Sequence, residues 1–574
     1  MVSRDDHFYY IQEMRYLNKE GIHFAEKHPD IAGKLGLEGV HAELRDPHSE
    51  RILEGFAFLT GRIRKMLDRQ YPELAHALFN LIFPTYLKPV PAKTIAQFTS
   101  REGMLDKPQL IPRGTEIHGQ LSDQKVTFTT AHELLVQPMT LDKLYIDPES
   151  QSDFSISAVL KVHAGADPQV IDYDEIEFFI HGDPSLRFEL FKQLNNQLSY
   201  VSIKGLNLPH ELLEIQWTGF QPDHSFSPDE DHTFLPLHLI RDYFDQPEKY
   251  MLFKIKGLTD ALSSLMDDLS DFQIDFHFKT PFATGSMFTS ANLLLHACPC
   301  HNVFNMTSEP LEIDAKQLEY RLIPDLNQPQ MEVYSVEKVL VSKERDRHEL
   351  RPYYHFNRDS IANKEQYFYA LRREPGNTGG WETYIRFFKL KYEKNDLLKG
   401  YTGSTRIRAT QGNFARNVKI GQLNKLDRAI PETISVKNIT QATTPCWPNL
   451  YTESDWNFIS HLALNYRDIQ DLESLKKLLT LYNFSNSETI TRKINGLLHV
   501  EKKRDYIIAN GRCINGFTLT LGCDDQKFQH VGDLVLFGRV LGHFLEAYCP
   551  FNSFIRLVIE IGHHQKLLET VVTG

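Results

Sequence analysis

The sequence predicts a multidomain α+β protein with an N-terminal helical unit, central antiparallel β domains of sandwich-like type, and a C-terminal mixed α/β domain. Three observations carry this expectation. The chain has 574 residues, more than one hydrophobic core organises. Its apolar period is helical up to about residue 92 and changes to two after that. Proline-rich stretches near 84–91 and 443–448 interrupt both patterns. The expected domains are therefore 1–92, 93–300, 301–443 and 444–574.

In the first unit, Tyr10, Met14, Leu17, Gly21 and Phe24 fall four and three residues apart and line one side of a helix. "KHPDIAGKLGLEG" breaks that pattern. A second helix starts at Asp46, a good N-cap, with Pro47 at the first helical position. Its seam is Ile52, Phe56, Leu59, Ile63 and Met66, and the expectation is that this seam packs on the first helix and on a third helix over 73–83. "FPTYLKPVPAK" ends the unit, because three prolines so close together cannot continue a helix.

From 93 the strands alternate. In "DFQIDFHFK", Phe272, Ile274, Phe276 and Phe278 face one way and Gln273, Asp275, His277 and Lys279 the other. "KVTFTT", "DEIEFFIHG", "YVSIKG" and "YMLFKIKG" share the pattern. "MEVYSVEKVLV" and "TYIRFFKLKY" are the strands expected in 301–443, with "SKERDRHELR" as a solvated loop between them. After "TTPCWPN", "SDWNFISHLALNY" and "LESLKKLLTLYNF" are helical, the latter with a seam of Leu472, Leu475, Leu479 and Tyr482. Asp533 is placed as the cap of a further helix with the stripe Leu534, Phe537, Leu541, Phe544 and Tyr548, and a strand from 554 to 561 closes the domain.

Composition narrows the function classes. A net charge of −12 opposes general nucleic-acid binding, which needs clustered cations. Six cysteines in so long a chain do not form a disulfide framework. The opening stretch lacks the apolar core of a secretory signal, and no segment is apolar enough to span a bilayer, which predicts a cytoplasmic protein. No phosphate-binding loop, dinucleotide fingerprint, nucleophile elbow or HExxH motif occurs. In "HACPCH", the spacing of His296, Cys298, Cys300 and His301 is tighter than a usual zinc pair, so buried thiols at a strand end are expected instead. Asp229, Glu230 and Asp231 lack the ligand spacing of a calcium loop. No catalytic residue, metal or cofactor is assigned.

One feature of the second helix calls for a partner. Phe56 and Phe58 point to nearly opposite sides, with Gly55 and Gly61 about 60° to either side of Phe58, and Glu54 and Arg62 about 40° to either side. Each interior glycine costs about 1 kcal/mol against alanine, which close approach of another element can offset. Gly538 and Gly542 repeat the device on the C-terminal helix.

"HFAEKHPDIAGKLGLEG" followed by "DPHSERILEGFAFLTGRIRKMLDRQYPELAHALFNLIFPTYLKPVPA" resembles the N-terminal signature of the TssF family of type VI secretion baseplate subunits. Asp46, Pro47, Glu50, Arg51, Glu54, Gly55, Phe56, Ala57, Phe58 and Leu59 fit that pattern position by position, and Pro84, Pro89 and Pro91 match its proline-rich exit. "CPCHNVFNMTSEPLEID", "WNFISHLALNY" and "LFGRVLGHFLEAYCPFNSFIRL" are similar to further family segments, whereas "RIRATQGNFARNV" departs from it. The resemblance implies a structural wedge subunit with no enzymatic activity. In this family two copies join one TssG, and the unit recruits TssK and TssE, surrounds the VgrG hub and docks on the inner-membrane complex from the cytoplasmic side. A wedge-type subunit of another contractile injection machine is the alternative. On this premise the face of Glu54, Gly55, Phe58, Gly61 and Arg62 is expected to meet a neighbouring subunit or a second copy of the chain. The proline-rich joints are expected to act as hinges.

Overall fold

A computed structural model describes residues 9–17, 27, 51–64, 84–101, 103–146, 154–206, 209, 211–226, 235–263, 265, 269–282, 287–314, 317–353, 367–376, 380–389, 398–428, 430–448, 471–509, 512–546, 549, 552–562 and 565–573. The third helix over 73–83, the Asp46 cap, the "SDWNFISHLALNY" helix and Asp229–Asp231 lie outside these residues. The chain divides into two compact units, Met1–Leu87 with Asn449–Leu462 and Lys88–Pro448 with Ala463–Gly574. It thus crosses between units three times, after residues 87, 448 and 462, and the first two crossings fall at the proline-rich stretches that the sequence marks.

The first unit contains helices over 9–17 and 51–64 and a 3-10 turn, Pro84–Leu87.

The second unit is built on several mainly antiparallel sheets. The strand Lys93–Ser100 pairs with Ala297–His301 on one side and Ile434–Asn438 on the other. Those strands share a six-stranded sheet with Gln124–Thr130, Glu116–Leu121 and Leu423–Leu426. Strands from either side of residue 300 therefore lie in one sheet. Phe98, Phe128, Cys298, Cys300 and Val418 are fully buried in its core.

Asp271–Phe278 alternates as its sequence requires: Phe272, Ile274, Phe276 and Phe278 are buried while Gln273, Asp275 and His277 are half-buried. It is the inner strand between Phe154–Val162 and Leu198–Ile203. "SKERDRHELR" proves to be a hairpin: Glu332–Lys343 turns within two residues into Asp346–Pro352 and pairs with it.

Two helices of more than ten residues within this β-rich stretch have no counterpart in the sequence reading. Pro184–Asn196 and Leu235–Asp245 both pack on the C-terminal helix Val531–Glu546. In the C-terminal region, Leu472–Leu481 is capped by Asp471, which accepts from the Ser474 N–H, and it buries Leu475 and Leu479. Arg512–Cys523 then runs antiparallel to Leu497–Ala509 and parallel to Phe554–Ile561, so Val531–Glu546 is the crossover of a β–α–β unit. Phe554–Ile561 does not end the sheet: Gln565–Thr573 adds an edge strand. Asp533 is not an exposed cap residue either. It is fully buried in the first turn, where its carboxylate accepts from Lys493 Nζ at 2.9 Å and from the Tyr243 hydroxyl at 2.7 Å. Among the described residues no helix is long and apolar enough to cross a membrane.

Within the second unit, the segments next to the first two of these crossings are fastened side by side. Val90 and Cys446 exchange backbone hydrogen bonds of 2.8 and 3.1 Å, and Lys93 and Thr443 pair at 2.9 Å. Trp447 donates its indole N–H to Glu332 Oε2 at 2.7 Å. Burial pushes the Glu332 carboxyl up to about 7 against the pull of Trp447 and Arg373. A raised folded-state value means that the folded chain binds more protons than the unfolded one. The stabilisation is complete below the unfolded value of 4.5 and is lost as pH rises through about 7. Glu332→Gln, permanently neutral, is therefore expected to gain stability relative to wild type as denaturation is followed from about pH 5 to about pH 8.

Candidate interaction surface and buried polar centre

The helix over 51–64 turns its small residues inward. Ala57 is fully buried, and a Cβ on Gly61 would lie 3.2 Å from the backbone of Tyr9 and Tyr10. Arg64 Nη1 reaches Glu13 Oε1 at 2.6 Å on the same side. Ala57, Gly61 and Arg64 are spaced four and three, so one narrow stripe meets the helix over 9–17. Close backbone approach is the reason for glycine at 61.

The aromatic and aliphatic side chains face outward. Ile52 is 73% exposed, Phe56 54%, Leu59 58%, Ile63 58% and Phe58 39%. This corrects the expectation that the Ile52–Phe56–Leu59–Ile63 seam packs on the neighbouring helices. At 100° per residue these side chains, with Gly55 among them, fall within one arc of about 160°. Ile52, Phe56, Leu59 and Ile63 form one apolar stripe about 60° wide, and Phe58 stands apart from it across Gly55, Arg51 and Arg62. Glu54 and Arg62 are exposed on either side of Phe58, and a Cβ on Gly55 would meet nothing within 4 Å. Of the five residues expected on an inter-subunit surface, Glu54, Gly55, Phe58 and Arg62 lie on exposed parts of the helix. Gly61 lies beneath it, against the first helix.

The C-terminal glycines are internal. A Cβ on Gly538 would come within 2.7 Å of Leu568 Cδ2 and 2.9 Å of Ile559 Cγ1, and one on Gly542 within 3.2 Å of Thr570 Cγ2. Gly538→Ala is expected to destabilise the chain by about 1–3 kcal/mol through overpacking. Gly55→Ala should stabilise the isolated chain by about 1 kcal/mol, the ordinary helix-propensity gain. Thermal melting of the two variants checks both signs.

"HACPCH" does not gather into a metal set. Cys298 and Cys300 point into the core, His296 Nε2 accepts from the Gln137 N–H at 3.1 Å, and His301 Nδ1 meets Thr129 Oγ1 at 3.0 Å. Cys298 instead leads to a cluster that the sequence reading missed, with its Sγ 3.8 Å from His132 Nδ1. The other face of His132 meets Glu177: Nε2 lies 3.3 Å from Oε2, and His224 Nε2 lies 3.2 Å from Oε1 of the same carboxylate. The two imidazoles are 4.0 Å apart at 37°. Thr218 donates to Glu177 Oε1 at 2.7 Å. All three residues are buried and line a cavity of about 690 Å³ together with Arg113 and Lys254.

Burial opposes charge throughout this centre. On His132 the Cys298 and Glu177 partners outweigh it and lift the ring to about 10. On His224 burial and the adjacent His132 prevail, driving it down to about 4. Glu177 overcomes its burial through both imidazoles and stays well below the usual carboxylate range. One carboxylate is therefore shared by two buried imidazoles at the edge of a cavity.

Comparison with known proteins places the whole chain. A family model described as "Type VI secretion system, TssF" matches residues 4–572. Type VI secretion system component TssF1 of Pseudomonas aeruginosa is 26% identical over 620 residues, covering 98% of this chain and 97% of that protein. A chain from the cryo-electron microscopy structure of a type VI secretion TssK-TssF-TssG baseplate subcomplex is similar in fold, with a TM-score of 0.75 at 23% identity, covering 91% of this chain and 99% of that one. A chain from a baseplate complex of the type VI secretion system matches with a TM-score of 0.63 at 21% identity, covering 98% of both.

Proposed function

The chain belongs to the TssF family of type VI secretion systems, and from that premise we propose that it is a wedge subunit that scaffolds the baseplate through the free face of its helix over 51–64. TssF is a baseplate component, so the questions left are which surfaces the chain uses and for whom. The observation that carries the reading is the apolar arc Ile52–Phe56–Leu59–Ile63 with Phe58 and Gly55, exposed on one helix. Contiguous apolar exposure of this kind marks an interaction surface. The occupant is TssG, which accompanies TssF and TssK in a related complex. Phe58 and Phe56 act as anchors, Gly55 admits a partner helix closely, and Glu54 with Arg62 sets its register.

The wider role follows from the same premise. Two copies of the chain hold one TssG, and the unit carries TssK and TssE around the VgrG hub at the cytoplasmic face of the inner-membrane complex. The chain's contribution is mechanical rather than catalytic, with its two proline-rich crossings as the hinges between units. Coexpression of the full chain with TssG and TssK, followed by mass measurement, tests the assembly. A stable particle containing two copies of this chain per TssG is expected. A chain that migrates alone in the presence of both overturns the reading.

A further inference from the structure

We propose that His132, Glu177 and His224 form a divalent-cation site, zinc by its donors, that ties together three remote stretches of the second unit. The three potential ligand atoms lie within 4.8 Å of one another and come from buried side chains. His132 follows the strand Gln124–Thr130, Glu177 immediately precedes Phe178–Ile180, and His224 ends the 3-10 turn Pro222–His224. Two imidazole nitrogens and a carboxylate are a donor set that zinc accepts with a fourth position left open.

The spacing favours a cation over a simple hydrogen-bonded triad. Each Nε2 stands 3.2–3.3 Å from its carboxylate oxygen, whereas a charge-assisted N–H···O bond closes to about 2.7–2.9 Å. Tetrahedral ligands on bonds of ~2.0–2.1 Å are separated by about 3.3 Å. Both ring nitrogens also point at one carboxylate, which brings the rings to 4.0 Å from each other.

The surroundings are those of a supported site. Thr218 Oγ1 orients Glu177 at 2.7 Å, and Cys298 Sγ lies 3.8 Å from Nδ1 of His132, on the side of the ring away from the cluster. Such outer partners fix ring orientation in metal centres. On His224 the Nδ1 is buried with no hydrogen-bond partner, so the outer support falls on His132 and Glu177. The cavity supplies the entry path and room for a water on the fourth position. Cysteine is not a ligand here, because Cys298 touches the other nitrogen of His132. The site's work is cross-linking, so the inference stands or falls separately from the docking of TssG.

The test uses the full chain without a histidine tag. The protein is loaded with zinc chloride, dialysed into metal-free buffer and analysed for metal. Wild type is expected to keep close to one equivalent, to give the intense visible absorption of tetrahedral cobalt when loaded with Co²⁺, and to lose melting temperature on chelation. His224→Ala, which removes the ring with the fewest other contacts, should lose the bound equivalent and the chelator response while keeping the wild-type circular dichroism. His224→Gln serves in its place if the alanine variant does not fold. Wild type that retains no metal and melts alike with and without chelator overturns the proposal. So does retention undiminished in the His224 variant.

Discussion

Asp242→Ala is expected to be among the most damaging single substitutions in the second unit, lowering stability by about 3–5 kcal/mol. The carboxylate is fully buried and shared by two lysines: Lys93 Nζ lies 3.0 Å from Oδ1 and Lys249 Nζ 2.7 Å from Oδ2. Both ammonium groups also sit near the Phe226 ring, at 5.1 and 5.6 Å. Burial opposes charge on Asp242, but Lys249, Lys93 and Arg241 overcome it and hold the carboxyl well below its usual range. Removing the shared anion strands Lys249 in a space without water and leaves Lys93 with Asp245 alone, 2.8 Å away. The reverse deletion is milder. Lys249→Met fills similar volume with an apolar stem and leaves Asp242 paired to Lys93, so it should cost less than half as much. The sign with pH follows from the depressed value. The folded state releases the Asp242 proton more readily than the unfolded one, so this stability is present above about pH 4 and is lost as pH falls further. Urea denaturation of the three proteins at neutral and acid pH separates these terms, and equal destabilisation by both substitutions would sink the shared-anion account.

The network sits close to the points where the chain passes between its two units. Lys93 opens the strand that follows the proline-rich exit of the first unit, and its backbone pairs with Thr443 beside the second crossing.

How much of this was legible in the sequence depended on whether the signal was local. Phe272, Ile274, Phe276 and Phe278 alternate because one face of their strand is buried, and the structure buries those four. Leu475 and Leu479 likewise follow from helical spacing and an Asp471 cap. Pro184–Asn196 and Leu235–Asp245 escaped because both are short and stand among strands, and tertiary packing on Val531–Glu546 supports them. The helix over 51–64 shows a different limit. Periodicity reports which residues share a face, and says nothing of what covers it. The large apolar stripe was assigned to the chain's own core, yet the inward face is the small one, Ala57 and Gly61, because close backbone approach suits small side chains. The His132–Glu177–His224 cluster had no sequence signal at all: its members stand 45 and 47 residues apart and meet only through the fold. Cys298, singled out for its spacing with Cys300, was the nearest landmark.

The second large effect concerns the exposed arc. Phe56→Asp combined with Leu59→Asp is expected to abolish copurification with TssG, a loss of at least about thirtyfold in affinity, since burial of one anchor aromatic commonly carries 2 kcal/mol or more. The same pair should leave the melting temperature of the isolated chain within a degree or two, because both side chains are more than half exposed and surface substitutions cost little. Phe58→Asp should behave likewise with a smaller penalty on the chain itself than its aromatic size suggests. Gly61→Ala sets the contrast: its Cβ presses on the Tyr9–Tyr10 backbone, so it should lower the melting temperature and weaken binding only as far as the helix pair loosens. A partner helix laid along the Ile52–Phe56–Leu59–Ile63 stripe, with Gly55 at its edge, can come close enough to bury those four side chains. Adding a methyl at Gly55 would then stabilise the free chain while reducing affinity for TssG. That opposition of signs at one residue distinguishes a docking face from an ordinary exposed helix, on which Gly55→Ala would improve stability and leave binding untouched.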